Sequence, residues 1–263
     1  MWSARLASDD SLGPNPIIPF TGWRPRRRIA ETATSEVFLL QNSNGCRAVG
    51  KRLLPSLDSR CSDLIDNEYA ALRRFADPSV VRVLGLAKHE SESWLMLEHL
   101  PYGDLRSLAG ASPTRWLPLL LQPVRWLASL HSAGFVYGDV KTSHLMLRQP
   151  FEACFVDLAT VTRRGRPVAT QTAAASPPEG VTEAAPTTDV FAFGVTLYEL
   201  LFAGLPDASG EWANANLHAW PQLVHLSAAC RSPNLADRPT MATVFRQLGV
   251  LTDRVDIAGA ALP

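Results

Sequence analysis

At 263 residues the chain is long enough for one large domain or for two lobes sharing a cleft. Hydrophobic residues make up 46% and charged residues 19%, a balance that excludes intrinsic disorder and predicts an ordinary packed core. The 25 basic and 25 acidic residues cancel, so no global field draws the protein to nucleic acid or to an acidic membrane, and neither partner is expected.

From Met1 to about Pro19, Ser, Asp, Gly and Pro dominate without apolar periodicity, which predicts a flexible leader over 1–20 that lies outside the fold. The same stretch carries Asp9 and Asp10 and lacks the pattern of a secretion signal, so a cytoplasmic location is expected. Arg24, Arg26, Arg27 and Arg28 then form a short basic run that reads as a solvated edge. Between Trp23 and Leu54 the residues alternate as strands do: Arg28 to Ala30, Glu36 to Leu40, a turn over Asn42 to Gly45, and Arg47 to Lys51. Asp63 to Phe75 changes to a helical period through Leu64, Ile65, Tyr69, Leu72 and Phe75 behind a Ser62/Asp63 start signal. Two more strands fit Val80 to Leu86 and Trp94 to Leu97. Beyond Pro101 the chain reads as mainly helical, over Leu119 to His131 despite Pro123, Asp189 to Ala203 and Met241 to Leu251. The apolar run Val190 to Pro206 is interrupted by Glu199 and falls short of the about 20 apolar residues a membrane helix needs, so it predicts a buried helix. Arg163 to Pro186 is a long connection rich in Thr, Ala, Pro and Gly, the kind of loop that often carries function. The four cysteines, Cys46, Cys61, Cys154 and Cys230, lack C-x-x-C spacing, which argues against a zinc knuckle or a disulfide framework.

Charged residues in apolar surroundings single out the chemistry. Lys51 closes an apolar strand and Glu68 lies on the helix that follows, where the two can meet inside the lobe; a strand-edge lysine and a solvated glutamate remain the alternative. Phe135 to Lys141 delivers Asp139 and Lys141 between apolar runs, and Cys154 to Ala159 delivers Asp157 in the same way. Two such carboxylates can hold a metal and accept a proton, although either alone can equally be a turn residue capping a short strand.

Taken in order, these residues resemble the eukaryotic-like (Hanks-type) serine/threonine protein kinase family from about Ile29 to Leu248. The resemblance implies an α+β, bilobal fold over 21–253, with a small antiparallel-sheet N-lobe carrying one helix (21–99), a mainly helical C-lobe (100–253) and a short tail (254–263). Ala48-Val49-Gly50-Lys51 is similar to V-A-I-K, so Lys51 is expected to hold the ATP phosphates and Glu68 to orient it. Trp94 to Leu100 looks like the last strand and hinge, with Leu97 as gatekeeper and the backbone of Glu98, His99 and Leu100 receiving adenine; Ala30, Val37, Ala48 and Leu147 complete the expected ATP contacts. Tyr137 to His144 is similar to H-R-D-L-K-x-x-N, which makes Asp139 the base and Lys141 the stabiliser of charge on the transferred group. Asp157 stands where D-F-G has its metal-binding aspartate, and Thr172 where protein-substrate members carry a threonine that steadies base and lysine. Pro177-Pro178-Glu179 looks like A-P-E, Asp189 to Val195 like the start of the central buried helix, and Asp237-Arg238-Pro239-Thr240 like D-x-R-P-T, with Glu179, Asp189 and Arg238 as structural anchors and Arg238 paired to Glu179.

The implied function is transfer of the γ-phosphate of ATP to a Ser/Thr hydroxyl of a protein substrate, with Mg²⁺ or Mn²⁺. Ala30, Thr32 and Ser35 stand in place of the three glycines of the phosphate loop, which predicts a loosened phosphate grip. His144 replaces the asparagine of the second metal site and suits manganese better than magnesium. Gly138 replaces the arginine that pairs with a phosphorylated loop in many members. These departures keep open a nucleotide-binding pseudokinase that acts as scaffold or allosteric partner. A small-molecule phosphotransferase is the third reading.

Overall fold

The computed structural model describes residues 17–20, 22–32, 34–54, 63–89, 92–168, 176–205 and 220–259. It has an α+β architecture in two compact units, one of residues 1–101 with 157–159 and one of residues 102–156 with 160–263.

The first unit is a sheet with one helix. Its strands are β1 (Ile17–Pro19), β2 (Trp23–Glu31), β3 (Ser35–Asn42), β4 (Arg47–Leu53), β5 (Val83–His89) and β6 (Glu92–Glu98), in the order β1-β5-β6-β4-β3-β2; helix α1 (Asp63–Arg74) follows β4. All neighbours are antiparallel except β1, which runs parallel to β5. Because side chains alternate along a strand, the register sorts the central strands into two faces. On one, Leu40, Ala48, Ala87, Trp94, Met96 and Phe20 form a buried cluster, with the Trp94 ring 5.2 Å from Phe20 and 5.5 Å from Phe38. On the other, the rows Val37–Lys51–Leu95 and Leu39–Val49–Leu97 run across β3, β4 and β6. Helix α1 buries Ile65, Glu68, Tyr69 and Leu72, the i, i+3, i+4, i+7 stripe of an amphipathic helix.

The expected leader over 1–20 does not stay outside the fold at its far end. Ile17–Pro19 pairs with β5 and Phe20 is only 6% exposed against Trp94, because the large apolar ring gains more from that cluster than from water. The basic run Arg24 to Arg28 lies on β2, the edge strand, where charge discourages pairing with another chain; Arg28 is bound to Glu31 and Glu36, and Arg26 donates to Gln41.

The second unit is mainly helical. It contains α2 (Pro113–Ser132), the short strands β7 (Phe135–Val136) and β10 (Thr162–Arg163), which pair with each other, the hairpin β8 (Leu145–Gln149) and β9 (Glu152–Phe155), and helices α3 (Pro186–Phe202), α4 (Pro221–Cys230) and α5 (Met241–Gly259). Helix α2 starts at Pro113, earlier than the periodicity from Leu119 predicts, and runs through Pro118 and Pro123. Each proline removes one backbone donor. The helix persists because Trp116, Leu117, Leu120, Val124, Leu127 and Leu130 form one continuous buried stripe. Helix α3 is buried from Thr188 to Leu201 apart from half-buried Glu199, as the apolar run from Val190 predicts. Its Gly194 lets α4 approach closely: a Cβ there would lie 2.7 Å from the Cβ of Cys230. Among the described residues no helix is long and apolar enough to cross a membrane.

The strand that carries Lys51 depends on a second missing side chain. A Cβ on Gly50 would meet Leu40 at 2.7 Å and Trp94 at 2.9 Å, inside the buried cluster. Gly50→Ala is therefore expected to lower unfolding free energy by about 1–3 kcal/mol, the usual cost of overpacking, read as a lower midpoint in urea denaturation. An unchanged midpoint would show that Trp94 is less tightly held than these distances require.

Candidate active site

The first unit assembles one half of the expected chemistry. Lys51, third from the end of β4, is 8% exposed; its Nζ lies 2.7 Å from Glu68 Oε2 on α1 and 3.1 Å from Asp157 Oδ1. Glu68 reaches it because position 68 falls on the buried stripe of α1. Burial pushes the Glu68 carboxyl up to about 7 although Lys51 opposes the shift, and its Oε1 has no hydrogen-bond partner among the described residues. Burial also works against the charge on Lys51, but Glu68 and Asp157 outweigh it and hold the ammonium above its ordinary value. Asp157 has φ +60°, a left-handed conformation that aspartate tolerates better than most residues.

The residues expected to surround ATP divide by strand alternation. Ala30, Val37 and Lys51 share one row of partners, and Leu97 shares the next with Val49. Ala48 does not belong with them. It is fully buried on the opposite face with Leu40, Trp94 and Met96, so on β4 it is Val49, two residues before Lys51, that shares the lysine's face. Beyond β6, the Glu98 amide donates to Arg82 O at 3.0 Å and its carboxylate accepts from Arg82 N at 2.7 Å. His99 is held below its ordinary range by burial and by Arg47 and Arg27, while Leu100 is buried.

The β2–β3 turn, where the three glycines are replaced, is closed by side chains. Thr32 N donates to Ser35 O at 2.8 Å, and the Thr32 hydroxyl accepts from Ser35 N at 3.0 Å and from Thr34 N at 3.3 Å. The Thr32 and Ser35 hydroxyls lie 2.9 Å apart.

The second unit holds the other half. Lys141 Nζ donates to Asp139 Oδ2 at 2.7 Å, and His144 Nδ1 lies 3.4 Å from the same oxygen. The loop that carries them is fixed from beneath by Asp189, near the start of α3 and fully buried. Its Oδ2 accepts from Tyr137 N at 2.8 Å, its Oδ1 accepts from Gly138 N at 2.7 Å, and His131 Nε2 lies 2.8 Å from Oδ2. Tyr137, in place of the family's histidine, packs its ring against Phe155, tilted by 45° with centroids 4.8 Å apart, and donates its hydroxyl to Val156 O at 2.6 Å; the Thr160 hydroxyl donates back to Tyr137 O at 2.8 Å. Val156 and Thr160, both of the second unit, are thus each tied to Tyr137. Leu147 is buried on β8, its amide donating to Gly103 O.

Glu179 and Arg238 meet in a two-pronged ion pair, Nη1 to Oε1 at 2.8 Å and Nη2 to Oε2 at 2.7 Å. Arg238 also donates to Ser232 O and Thr187 O and lies over the Phe191 ring at 4.9 Å. Burial alone would raise the Glu179 carboxyl, but the hydrogen bonds from Arg238 hold it below the ordinary carboxylate range. Thr172 falls outside the described residues. Two contributors escape the sequence reading. His131 supports Asp189, and Thr142 donates to Glu199 Oε2 on α3 at 2.6 Å. The exception to burial on α3, Glu199, is the signal that could have found the second.

No group of three His, Cys, Asp or Glu side chains among the described residues forms a metal cage. A partly exposed carboxylate such as Asp157 fits magnesium or manganese in the other common way, with substrate phosphates and water completing the shell. The Nδ1 of His144 is already turned to Asp139 and to the Tyr137 hydroxyl at 3.3 Å.

The chain is 31% identical over 132 residues to human calcium/calmodulin-dependent protein kinase type 1B, covering 48% of this chain and 38% of that protein. It is 26% identical over 208 residues to a putative mitogen-activated protein kinase kinase kinase 7-like protein of Drosophila melanogaster, covering 71% and 53%. It is 30% identical over 200 residues to serine/threonine-protein kinase PknL of Mycobacterium tuberculosis, covering 65% and 50%. The chain thus spans about half or less of each relative's length. The family model for the protein kinase domain matches residues 23–247, taking in strands β2 to β6, the Lys51–Glu68 pair and most of the helical unit, and the chain belongs to that family.

Proposed function

We propose that the protein is an ATP-dependent kinase that transfers the γ-phosphate of ATP to a serine or threonine hydroxyl of a protein substrate. The observation that carries this reading is the Asp139–Lys141 pair on a loop fastened by buried Asp189 in the second unit, together with the Lys51–Glu68 pair retained in the first. In the reaction the substrate hydroxyl oxygen forms a bond to the γ-phosphorus, the bond between that phosphorus and the ADP oxygen breaks, and the hydroxyl proton passes to Asp139. Lys141 is placed to offset charge on the transferred group, and Lys51, oriented by Glu68, to hold the α- and β-phosphates. Asp157 and His144 are the residues proposed for Mg²⁺ or Mn²⁺, which when bound neutralises charge on the phosphates. Positioning and electrostatics supply most of phosphoryl transfer, and the charged groups needed for both are present.

The closed β2–β3 turn favours a second reading, in which the domain binds nucleotide without turnover and serves as a scaffold or allosteric partner. Incubation with labelled ATP and a generic protein substrate separates the two. Transfer is expected from the native chain, with a loss of roughly 10²–10⁴-fold in Asp139→Asn through removal of the base and no detectable transfer in Lys51→Met. Thermal stabilisation by ATP without transfer would select the scaffold reading.

Metal preference gives an independent check. Activity with Mn²⁺ is expected to exceed that with Mg²⁺, and His144→Asn is expected to shift the ratio toward Mg²⁺, because an amide oxygen suits the harder ion. An unchanged ratio would remove His144 from the metal site.

A further inference from the structure

We infer that Glu199 is a positioning residue: through the Thr142 hydroxyl it sets where Lys141 stands, and so governs the transfer step by way of the loop. The inference rests on the proposed kinase function and concerns what holds that loop at its far end.

The loop is fastened to α3 twice, and Asp139 and Lys141 lie between the two points. Asp189 takes the amides of Tyr137 and Gly138 at one end. At the other, Thr142 is fully buried and donates its hydroxyl to Glu199 Oε2 at 2.6 Å, the short range of a hydroxyl–carboxylate bond. Glu199 stands ten residues beyond Asp189 on α3, an advance of about 15 Å along the helix axis. The chain from Gly138 to Thr142 spans at most about 14 Å when extended. The two lengths match, and Lys141 is indeed extended, with φ −163° and ψ 160°.

The second fastening bears on Lys141 most directly, because Thr142 is its neighbour in the chain. The 3-10 turn Thr142–His144 opens there without a side-chain cap and is closed by His144 N donating to Lys141 O at 3.0 Å. Where that turn sits against α3 is therefore set by the Thr142 side chain. Glu199 is the half-buried exception on an otherwise buried stretch of helix, and a polar group so placed is tolerable when its oxygens are met. Thr142 meets Oε2, and Arg106 Nε lies 3.7 Å from Oε1. The Arg106 side chain is 60% exposed, so that ion pair holds little by itself. The short, directional bond is the one from Thr142, and its loss lets the turn shift along α3. A displacement of about 1 Å at Lys141 costs on the order of 10²-fold in rate.

The experiment is steady-state transfer from labelled ATP to a generic protein substrate by the full chain, native and as Thr142→Val, Thr142→Ser and the double variant Thr142→Val with Glu199→Leu, each checked for folding by circular dichroism and urea denaturation. Thr142→Val is expected to lower kcat by roughly 10- to 100-fold and to leave KM for ATP within about twofold, the mark of a group that acts in the transition state alone. Thr142→Ser keeps the hydroxyl and is expected to restore most of kcat. The double variant replaces both partners by apolar groups, which returns the stability lost by leaving one carboxylate oxygen unmet. Its kcat is expected to stay low, since the directional bond is still missing, and it carries the same comparison should Thr142→Val fail to fold. Recovery of kcat together with stability in the double variant overturns the inference while the kinase reading stands. So does native kcat in Thr142→Val, or a loss that raises KM for ATP to the same degree. Absence of transfer by the native chain overturns the kinase reading, and the inference with it.

Discussion

The geometry of the second unit depends on one buried carboxylate. Asp189 has no solvent access, and a charge so placed is tolerable only when its oxygens are occupied. Two backbone amides, from Tyr137 and Gly138, and the His131 ring meet that demand. Because α3 is itself buried along most of its length, the loop is fastened to an element of the unit's core. Gly138 is part of the same solution. It has φ +88°, and a Cβ there would come within 3.3 Å of Thr160 O, so the glycine is what this path of the chain requires as well as the loss of an arginine. The Asp139–Lys141 pair follows directly from this turn.

The first unit is organised by a comparable problem of the opposite sign. An ammonium at Lys51 is nearly buried, and two carboxylates answer it. Removing one partner from such a group costs about 3–5 kcal/mol, since an uncompensated charge remains behind. The arrangement is better read as fixing where Lys51 points than as adding stability. Strand parity then does the sorting: Val49 and Lys51 share one face of β4, the one that Glu68 of α1 reaches, and Ala48 and Gly50 face the Trp94 cluster on the other. Gly50 and Ala48 are small because Trp94 and Leu40 are large.

Much of this was legible in the sequence where the signal is local. Period-two runs gave the central strands, a 3.6-residue stripe gave α1, and the polar residues stranded between apolar runs gave Asp139, Lys141 and Asp157. What escaped depends on distant partners. Three residues at Ile17–Pro19 carry no alternation of their own, and their strand exists only because β5 offers a parallel edge. Helix α2 hid its first turns behind Pro118, whose missing donor is outweighed by burial of Trp116 and Leu117. Helix α4 is ten residues long with Leu223, Leu226, Ser227 and Cys230 turned inward, too short a stripe to stand out. Ala48 was misassigned because matching a motif by order does not say which face a residue occupies, whereas counting back two from Lys51 does.

The departures from the family pattern sort by physical type. Lys51, Glu68, Asp139, Lys141, Asp157, Glu179 and Arg238 act through charge, and no neighbouring neutral group can stand in for them. The altered positions act through backbone donors or a neutral ligand: the phosphate-loop glycines and the asparagine replaced by His144. Backbone amides can be satisfied from within, and in the β2–β3 turn a threonine hydroxyl does so. Under the proposed function, each unit keeps its own charged groups, while among the described residues the amides of Thr34 and Ser35 are taken up by the Thr32 hydroxyl. Coulombic terms fall off slowly with distance whereas a hydrogen bond needs close and aligned partners, so groups of the first kind tolerate a change in their surroundings that groups of the second do not.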